Sequence, residues 1–475
     1  MDNLAYKEKE LGKYESDGSR KLTLIEKLSY GCGDLGGNFS WGAVMGVITF
    51  FYTDYCGVAA ATVGLILLLS RFLDGISDFI FGFILEKTHT PKGKCRPWIF
   101  RTMWPMAILT VLMFTVPSNA TNVFKVIYIF IIYNLLNTVC FTANNLSYSA
   151  LSARMTRNVK DRAEVASFRL GMAPIGRIIV TAGTLPLVSL LGNNQKAWII
   201  VMAVWAAISL IPLWLCYHNC IEYAGMEVDK IQAKMEPIKL KSGVLHMITN
   251  PAWWGVTLLW GFSTANYSIT GAMVPYYCKY LFGNQNLYSV LNLLEAVCFI
   301  SAAFISGQLQ KKMAKSHIGF YGCLIGCAAQ IVIFLNPLNF GLIVAMYVIR
   351  SFFTGLTIPC VFALIGDAAE YQQFKTHKRE EGLVFSASGI GSKVGSGLAA
   401  GLTGLAMSAA GYIASAGASV VQPESVLTAI PRIYTVAELL VWGVQAVIFL
   451  LWFRLDAKLP SIMDELHKRE ARGEF

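Results

Sequence analysis

Charge is what this chain has least of. Only 14% of its 475 residues are Asp, Glu, Lys or Arg, against about 25% in soluble domains. So few charged side chains cannot cover a chain of this length, which excludes a water-soluble globular protein. Clusters that carry bond-making chemistry are missing as well. The eleven cysteines are scattered without a CxxC pair, and the six histidines stand in loops or at the ends of apolar segments. That argues against structural zinc, a disulfide framework and a histidine proton relay. No nucleophile–base set and no phosphate-cradling glycine loop occurs, so an enzyme is set aside and no cofactor is expected. A cleavable signal is absent too, because residues 1–27 are polar and carry six Lys or Arg, as suits a cytoplasmic tail.

Long apolar runs are what the chain has. Twelve segments of spanning length lie near 28–53, 59–86, 97–117, 122–150, 164–192, 195–217, 247–280, 285–308, 316–335, 338–368, 381–413 and 433–455. In hydrocarbon the backbone must satisfy its own hydrogen bonds, so these are helices. The net charge of +10 does not signal nucleic acid. The basic residues fall in alternate loops, at 87–96, 154–162, 230–241, 311–315 and 375–379, while the intervening loops are nearly free of them. The positive-inside rule then puts both termini in the cytoplasm. The charged stretch 218–246 divides the chain into a tail 1–27, a six-helix bundle 28–217, a linker, a second six-helix bundle 247–455 and a tail 456–475. The expectation is an all-α membrane protein of twelve transmembrane helices in two related bundles.

Within these apolar runs a few polar side chains stand out. Arg71, Asp74 and Asp78 interrupt the second segment. Asp74 and Asp78 are one helical turn apart, so both carboxylates share a face. Charge inside a membrane is costly and marks a functional site by default. Two like charges need a positive partner, for which Arg71 and an exchangeable cation are the candidates. Aligning Gly82 with Gly307 of the second half sets Phe299 and Ala303 opposite the two acids, so the pair is private to the first half. Asp34 and Asn38 form a polar stripe in the first segment, beside Trp41, which either stacks on a sugar ring or packs. Thr142, Asn144, Asn145 and Ser147 end the fourth segment and suit hydroxyl recognition or interhelical bonding. Arg169 and Arg177 share a face of the fifth, and Arg177 needs an acid such as Asp34, Asp74 or Asp78. Lys393 lies among small residues of the eleventh, placed to pair with an acid of the other half. Asp367 and Glu370 end the tenth, either as solvated charges or as a cytoplasmic gate. Glu295 is left without a role.

Motifs running through the chain resemble the glycoside–pentoside–hexuronide:cation symporter family. They include the stretch from Lys27 to Asp34, Phe51-Tyr-Thr-Asp54, the stretch Arg71–Asp78, Gly93-Lys-Cys-Arg-Pro97-Trp98, Asn145 to Leu151, Asp161-Arg-Ala-Glu164, and Asp367 to Tyr371 followed by Lys393. The resemblance implies the fold of the major facilitator superfamily. It implies a cation site at Asp74 and Asp78 with Thr142 as a further oxygen ligand, Arg71 beside it and Lys393 near it. It implies sugar contacts at Asn38, Asn145 and Arg169. Asn38 and Asn145 replace aspartates found in a well-studied member, and Arg177, Ile358 and Ser149 also depart from it. These changes leave a less negative pocket and raise the possibility of an acidic sugar such as a hexuronide.

The functional expectation is symport of a glycoside or oligosaccharide with Na⁺, Li⁺ or H⁺ by a monomer in a bacterial cytoplasmic membrane. The alternatives are a passive facilitator and a non-transporting sugar sensor. The retained acidic pair speaks against the first, and the absence of a signalling domain after residue 455 against the second.

Overall fold

The first helix is started by a capping box. Thr23 accepts the Glu26 backbone N–H, and the Glu26 carboxylate accepts the Thr23 N–H at 2.8 Å, so two end donors are satisfied reciprocally. From there the computed structural model is helical throughout its described residues, which are 21–156, 158–224, 247–376, 381–415 and 420–472. Most of the expected N-terminal tail and of the linker, the loop residues 377–380 and the last three residues lie outside them.

The first part of the chain forms α1 (Leu24–Gly46), α2 (Ile48–Asp54), α3 (Ala60–Lys87), α4 (Arg96–Leu112), α5 (Asn122–Asn134), α6 (Thr142–Met155), α7 (Val159–Leu190) and α8 (Gln195–Asn219). A π-helical segment, Leu135–Phe141, joins α5 to α6. The second part forms α9 (Pro251–Tyr276), α10 (Leu287–Leu309), α11 (Lys315–Leu335), α12 (Phe340–Thr376), α13 (Glu381–Ala409), α14 (Glu424–Asp456) and a short α15 (Leu459–Ala471). Among the described residues, seven helical stretches are long and apolar enough to cross a membrane on length and composition alone. Lipid-facing stripes show on α3, where Phe72, Ile76, Phe79 and Phe83 follow one face and are 57%, 58%, 59% and 53% exposed. Asp74, on another face of the same helix, is only 4% exposed.

Two compact units result. Among the described residues, one holds 21–58, 72–156, 158–224 and 415, the other 59–71, 247–376, 381–414 and 420–472. In the first unit α1 packs mainly on α7 and α8, and α4 on α8 and α6. Glycine makes this approach possible. A Cβ at Gly33 would come within 2.8 Å of Cys216 Sγ, and one at Gly42 within 3.3 Å of the Arg177 backbone. Tyr30 and Tyr148 lock α1 to α6. Their rings stack at 4.5 Å, and each hydroxyl donates to the other's carbonyl, at 3.1 and 2.8 Å. In the second unit α9 packs on α13, α11 on α14 and on α12, and α10 on α12. A core rich in tryptophan, with Trp253, Trp442 and Trp452, lies among them. The unit also takes in the first half of α3, where Gly64 meets Ala400 and Gly401 of α13.

Buried ion pairs fasten the ends of the first unit. Glu222, just past α8, accepts the backbone N–H groups of Lys94, Cys95 and Arg96 at 3.0, 2.7 and 3.0 Å and an Arg154 bond at 2.6 Å. Its carboxylate thus sits on the N-terminus of α4, where the helix dipole favours an anion. Gly93 enables that turn, with φ at +101°. At the start of α1, Lys27 reaches Asp161 at 2.8 Å and Glu164 at 2.6 Å, and Asp161 also takes the Leu22 N–H at 2.7 Å. The Asp161 bond, then that of Glu164, raises the Lys27 amine above its usual range. Burial alone would push the Asp161 carboxyl up, but the Lys27 and Leu22 bonds outweigh it and hold the carboxyl low. A lowered acid stabilises above its ordinary value near about pH 3.9 and stops doing so as pH falls through the folded value. The raised amine contributes fully below about pH 10.4 and loses that contribution as pH rises through its folded value. Asp161→Asn therefore costs about 1.5–3 kcal/mol at neutral pH. Melting temperatures from pH 7 to 3 should show the wild type losing this margin while the variant changes less.

Candidate functional site

In the first unit, the polar residues of α1, α6 and α7 converge. Arg169 Nε donates to Asp34 at 3.0 Å, Nη1 to Ser149 at 3.1 Å and Nη2 to Asn145 at 3.5 Å, and the guanidinium lies 4.9 Å from the Tyr148 ring centroid. Asn38 Nδ2 donates to the Asp34 carbonyl at 2.8 Å and to its carboxylate at 3.3 Å. All six side chains except Tyr148 are half-buried. The set offers a carboxylate, a guanidinium, a hydroxyl and two amides, so it can give and take hydrogen bonds as a sugar's hydroxyls require. The Asp34 charge is matched by Arg169, whereas Arg177 lies on the same helix with its backbone against Gly42. Trp41 stacks on Phe141, with centroids 5.1 Å apart and planes at 17°, so one ring face is taken up in packing.

The acidic pair meets the π-helical segment. Thr138 donates to Asp74 at 2.5 Å, and Thr142 to Asp78 at 3.3 Å. Ser77, between the two acids, donates to the Thr138 carbonyl. Two aspartates four apart on α3 therefore face two threonines four apart, Thr138 on the π-helical segment and Thr142 at the start of α6. The π turn brings Thr142 back to the Asn137 carbonyl at 3.5 Å, five residues earlier. Such turns are frequent at functional sites. The group is composed of oxygens, the ligand type small hard cations prefer. Thr142 was expected here. Thr138 was missed, although its spacing repeats that of the aspartates.

The remaining candidates belong to the second unit. Arg71, 8% exposed, belongs to the second unit, where its stem meets Gly397 of α13. Lys393 is on the same helix and half-buried. Asp367 is held by Lys315 at 2.5 and 2.7 Å within the second unit, and Glu370 is half-buried one turn further along α12. The largest missed feature is a charge cluster inside this unit. Arg350, 1% exposed, pairs with Glu438, 0% exposed, at 2.5 Å, and reaches Glu295 at 3.5 Å. Three lone charges in three separate apolar segments were the available signal. The unit also has a cleft of about 530 Å³ beside α9, α13 and α14. Apart from Thr257 and Thr403 its lining is apolar, so it cannot orient a sugar.

Residues 29–457 match the family described as MFS/sugar transport protein. The chain belongs to this family. Its members are membrane transporters rather than enzymes. Within this likeness, the isoprimeverose transporter of Lactiplantibacillus pentosus is 27% identical, over 94% of this chain and 92% of its own. The inner membrane symporter YicJ of Escherichia coli strain K12 is 25% identical, over 96% and 98%. The crystal structure of the D-xylose-proton symporter superposes with a TM-score of 0.64 at 13% identity, covering 89% of this chain and 96% of that one. That likeness shows the fold, and with the family match it is the all-helical fold of the major facilitator superfamily. Family membership makes the chain a membrane-embedded sugar transporter. The resemblance read from its motifs agrees with this family.

Proposed function

We propose that this transporter couples inward movement of a hydroxyl-rich glycoside to a monovalent cation held between Asp74 and Asp78. The observation that carries the reading is the facing of the two acids by Thr138 and Thr142. An isolated carboxylate inside a membrane helix costs about 2.5–3.5 kcal/mol. Two of them one turn apart repel, and a small cation among these oxygens relieves both costs. Arg71 and Lys393 are the coupling charges on this reading. Asp367 and Glu370 would hold the cytoplasmic side when it is closed. Both termini face the cytoplasm on this reading, and the monomer is the working unit.

Coupling runs along one element. Thr142 is three residues before Asn145 on α6, and Asn145 contacts Arg169. A cation drawing on Thr142 fixes the helix that presents Asn145 and Ser149 to the sugar. By linkage the sugar tightens the cation site by the same factor. The Asp34–Arg169 balance favours a neutral glycoside. Hexuronide transport instead calls on Arg177, and fails if Arg177→Ala leaves uptake of neutral and acidic glycosides unchanged. Arg169→Lys loses the fork that spans Asp34, Ser149 and Asn145. It should raise the apparent KM about 10-fold or more while leaving the cation dependence in place. Uptake of a radiolabelled glycoside panel into vesicles, with and without a sodium gradient, tests the reading. Sodium-independent accumulation that collapses with a protonophore selects H⁺ over Na⁺. Equilibration without accumulation selects the facilitator, and binding without uptake the sensor.

A further inference from the structure

The charge cluster in the second unit does not balance. Glu438 accepts Arg350 Nη1 at 2.5 Å, Thr270 Oγ1 at 2.6 Å and the Gln330 amide. Three donors, the guanidinium among them, answer its charge. Glu295 is left with the Tyr347 hydroxyl at 2.5 Å and a 3.5 Å approach to Arg350 Nη2. One guanidinium thus serves two carboxylates, and one negative charge remains in a membrane helix, a costly arrangement. Two further oxygens of the cluster, Gln330 Oε1 and Tyr434 Oη, are buried without a hydrogen-bond partner among the described residues. Gln330 is 0% and Tyr434 2% exposed. Glu438 is sealed, whereas the Glu295 side chain is 14% exposed.

We propose that Glu295 is the acceptor of a second exchangeable monovalent cation, bound within the second unit and separate from Asp74 and Asp78. H⁺ and Na⁺ share the required chemistry, a single positive charge on a carboxylate. The groups facing Glu295 are Tyr347 and Arg350 of α12, Tyr434 and Glu438 of α14, and Tyr288 and Cys298 on its own helix. Arg350 stays committed to Glu438, so the charge that comes and goes is that on Glu295. A transporter with this site carries an ion-binding element in each unit.

The test uses the purified full chain carrying D74N and D78N, which removes the first site. Its melting temperature is followed by tryptophan fluorescence while NaCl replaces choline chloride at constant ionic strength, and separately while pH falls from 8.5 to 5.5. The proposal expects a rise of about 3 °C in one series. A rise with Na⁺ identifies sodium, and a rise on acidification alone identifies the proton. Adding E295Q, whose neutral amide reproduces the occupied charge, should give the raised value from the start and abolish the response. Y347F removes a donor that stabilises the unoccupied Glu295 charge, so it should shift the midpoint about 10-fold toward lower cation. No response in either series overturns the proposal, as does a response that survives E295Q, or an E295Q chain that melts below its parent. Failure of the Asp74–Asp78 reading would show separately, as identical cation responses in the wild type and D74N/D78N.

Discussion

Replacing Asp74 and Asp78 together by asparagine should abolish accumulation of substrate against its gradient. The two carboxylates stand one turn apart on α3, and Asp74 is buried. At about 6 Å and an effective dielectric constant near 20, their repulsion is of order 3 kcal/mol. A cation between them removes that repulsion, so its binding energy becomes available to order Thr138, Thr142 and, one turn on, Asn145. Asparagines carry no charge to relieve, and the cation loses its reason to bind. Coupling energies of about 1–3 kcal/mol correspond to about 5- to 150-fold in affinity. The variant should therefore bind sugar equally well with and without cation, where the wild type gains about 10-fold or more from it. Counterflow of labelled substrate in vesicles would show whether exchange persists once accumulation is lost. Accumulation retained by the double variant would remove the cation-site assignment altogether.

Arg350→Met should remove most of the folded protein. It leaves Glu438 at 0% exposure with Thr270 and Gln330 as donors but no counter-charge. Breaking a buried pair from one side costs about 3–5 kcal/mol, a large share of the 5–15 kcal/mol that holds a domain together. The same reasoning expects rescue. Changing Glu438 to Leu in the Arg350→Met chain replaces the pair with apolar side chains of similar volume, which is often neutral or stabilising. Glu295 keeps its Tyr347 bond in that variant. The yield of monodisperse protein in detergent and its melting temperature decide the matter. A single variant as stable as the wild type would mean that the pair contributes little, and a double variant worse than the single would contradict the charge argument.

Much of this molecule could be read before its structure. Apolar runs of spanning length locate the helices because hydrocarbon leaves the backbone no other choice. Asp74 and Asp78 declared themselves by spacing and setting, and Asp34, Asn38, Asn145 and Arg169 by being polar where apolar residues are expected. What could not be read is which of them meet. Arg169 and Arg177 are equally plausible partners for Asp34 on one helix face, and only the packing of α7 on α1, where Gly176 meets Leu35 and Gly42 meets Arg177, separates them. Arg350, Glu438 and Glu295 come from three helices far apart in sequence, so no local pattern links them. A charge count per bundle would have hinted at their pairing, because lone opposite charges in one bundle must find each other. The π-helical turn at Leu135–Phe141 has no sequence mark at all, yet it sets Thr138 and Thr142 before the acids.

The central claim is that sugar movement is driven by a cation gradient through Asp74 and Asp78. The most direct measurement is the steady-state accumulation ratio of a transported glycoside in vesicles of purified protein, recorded as the imposed Na⁺ or H⁺ gradient is varied. The account predicts a ratio that rises with the gradient of one of these ions, returns to unity when that gradient is dissipated, and stays at unity in D74N/D78N. A ratio that stays at unity for the wild type under every gradient, or one that D74N/D78N reproduces, would contradict it.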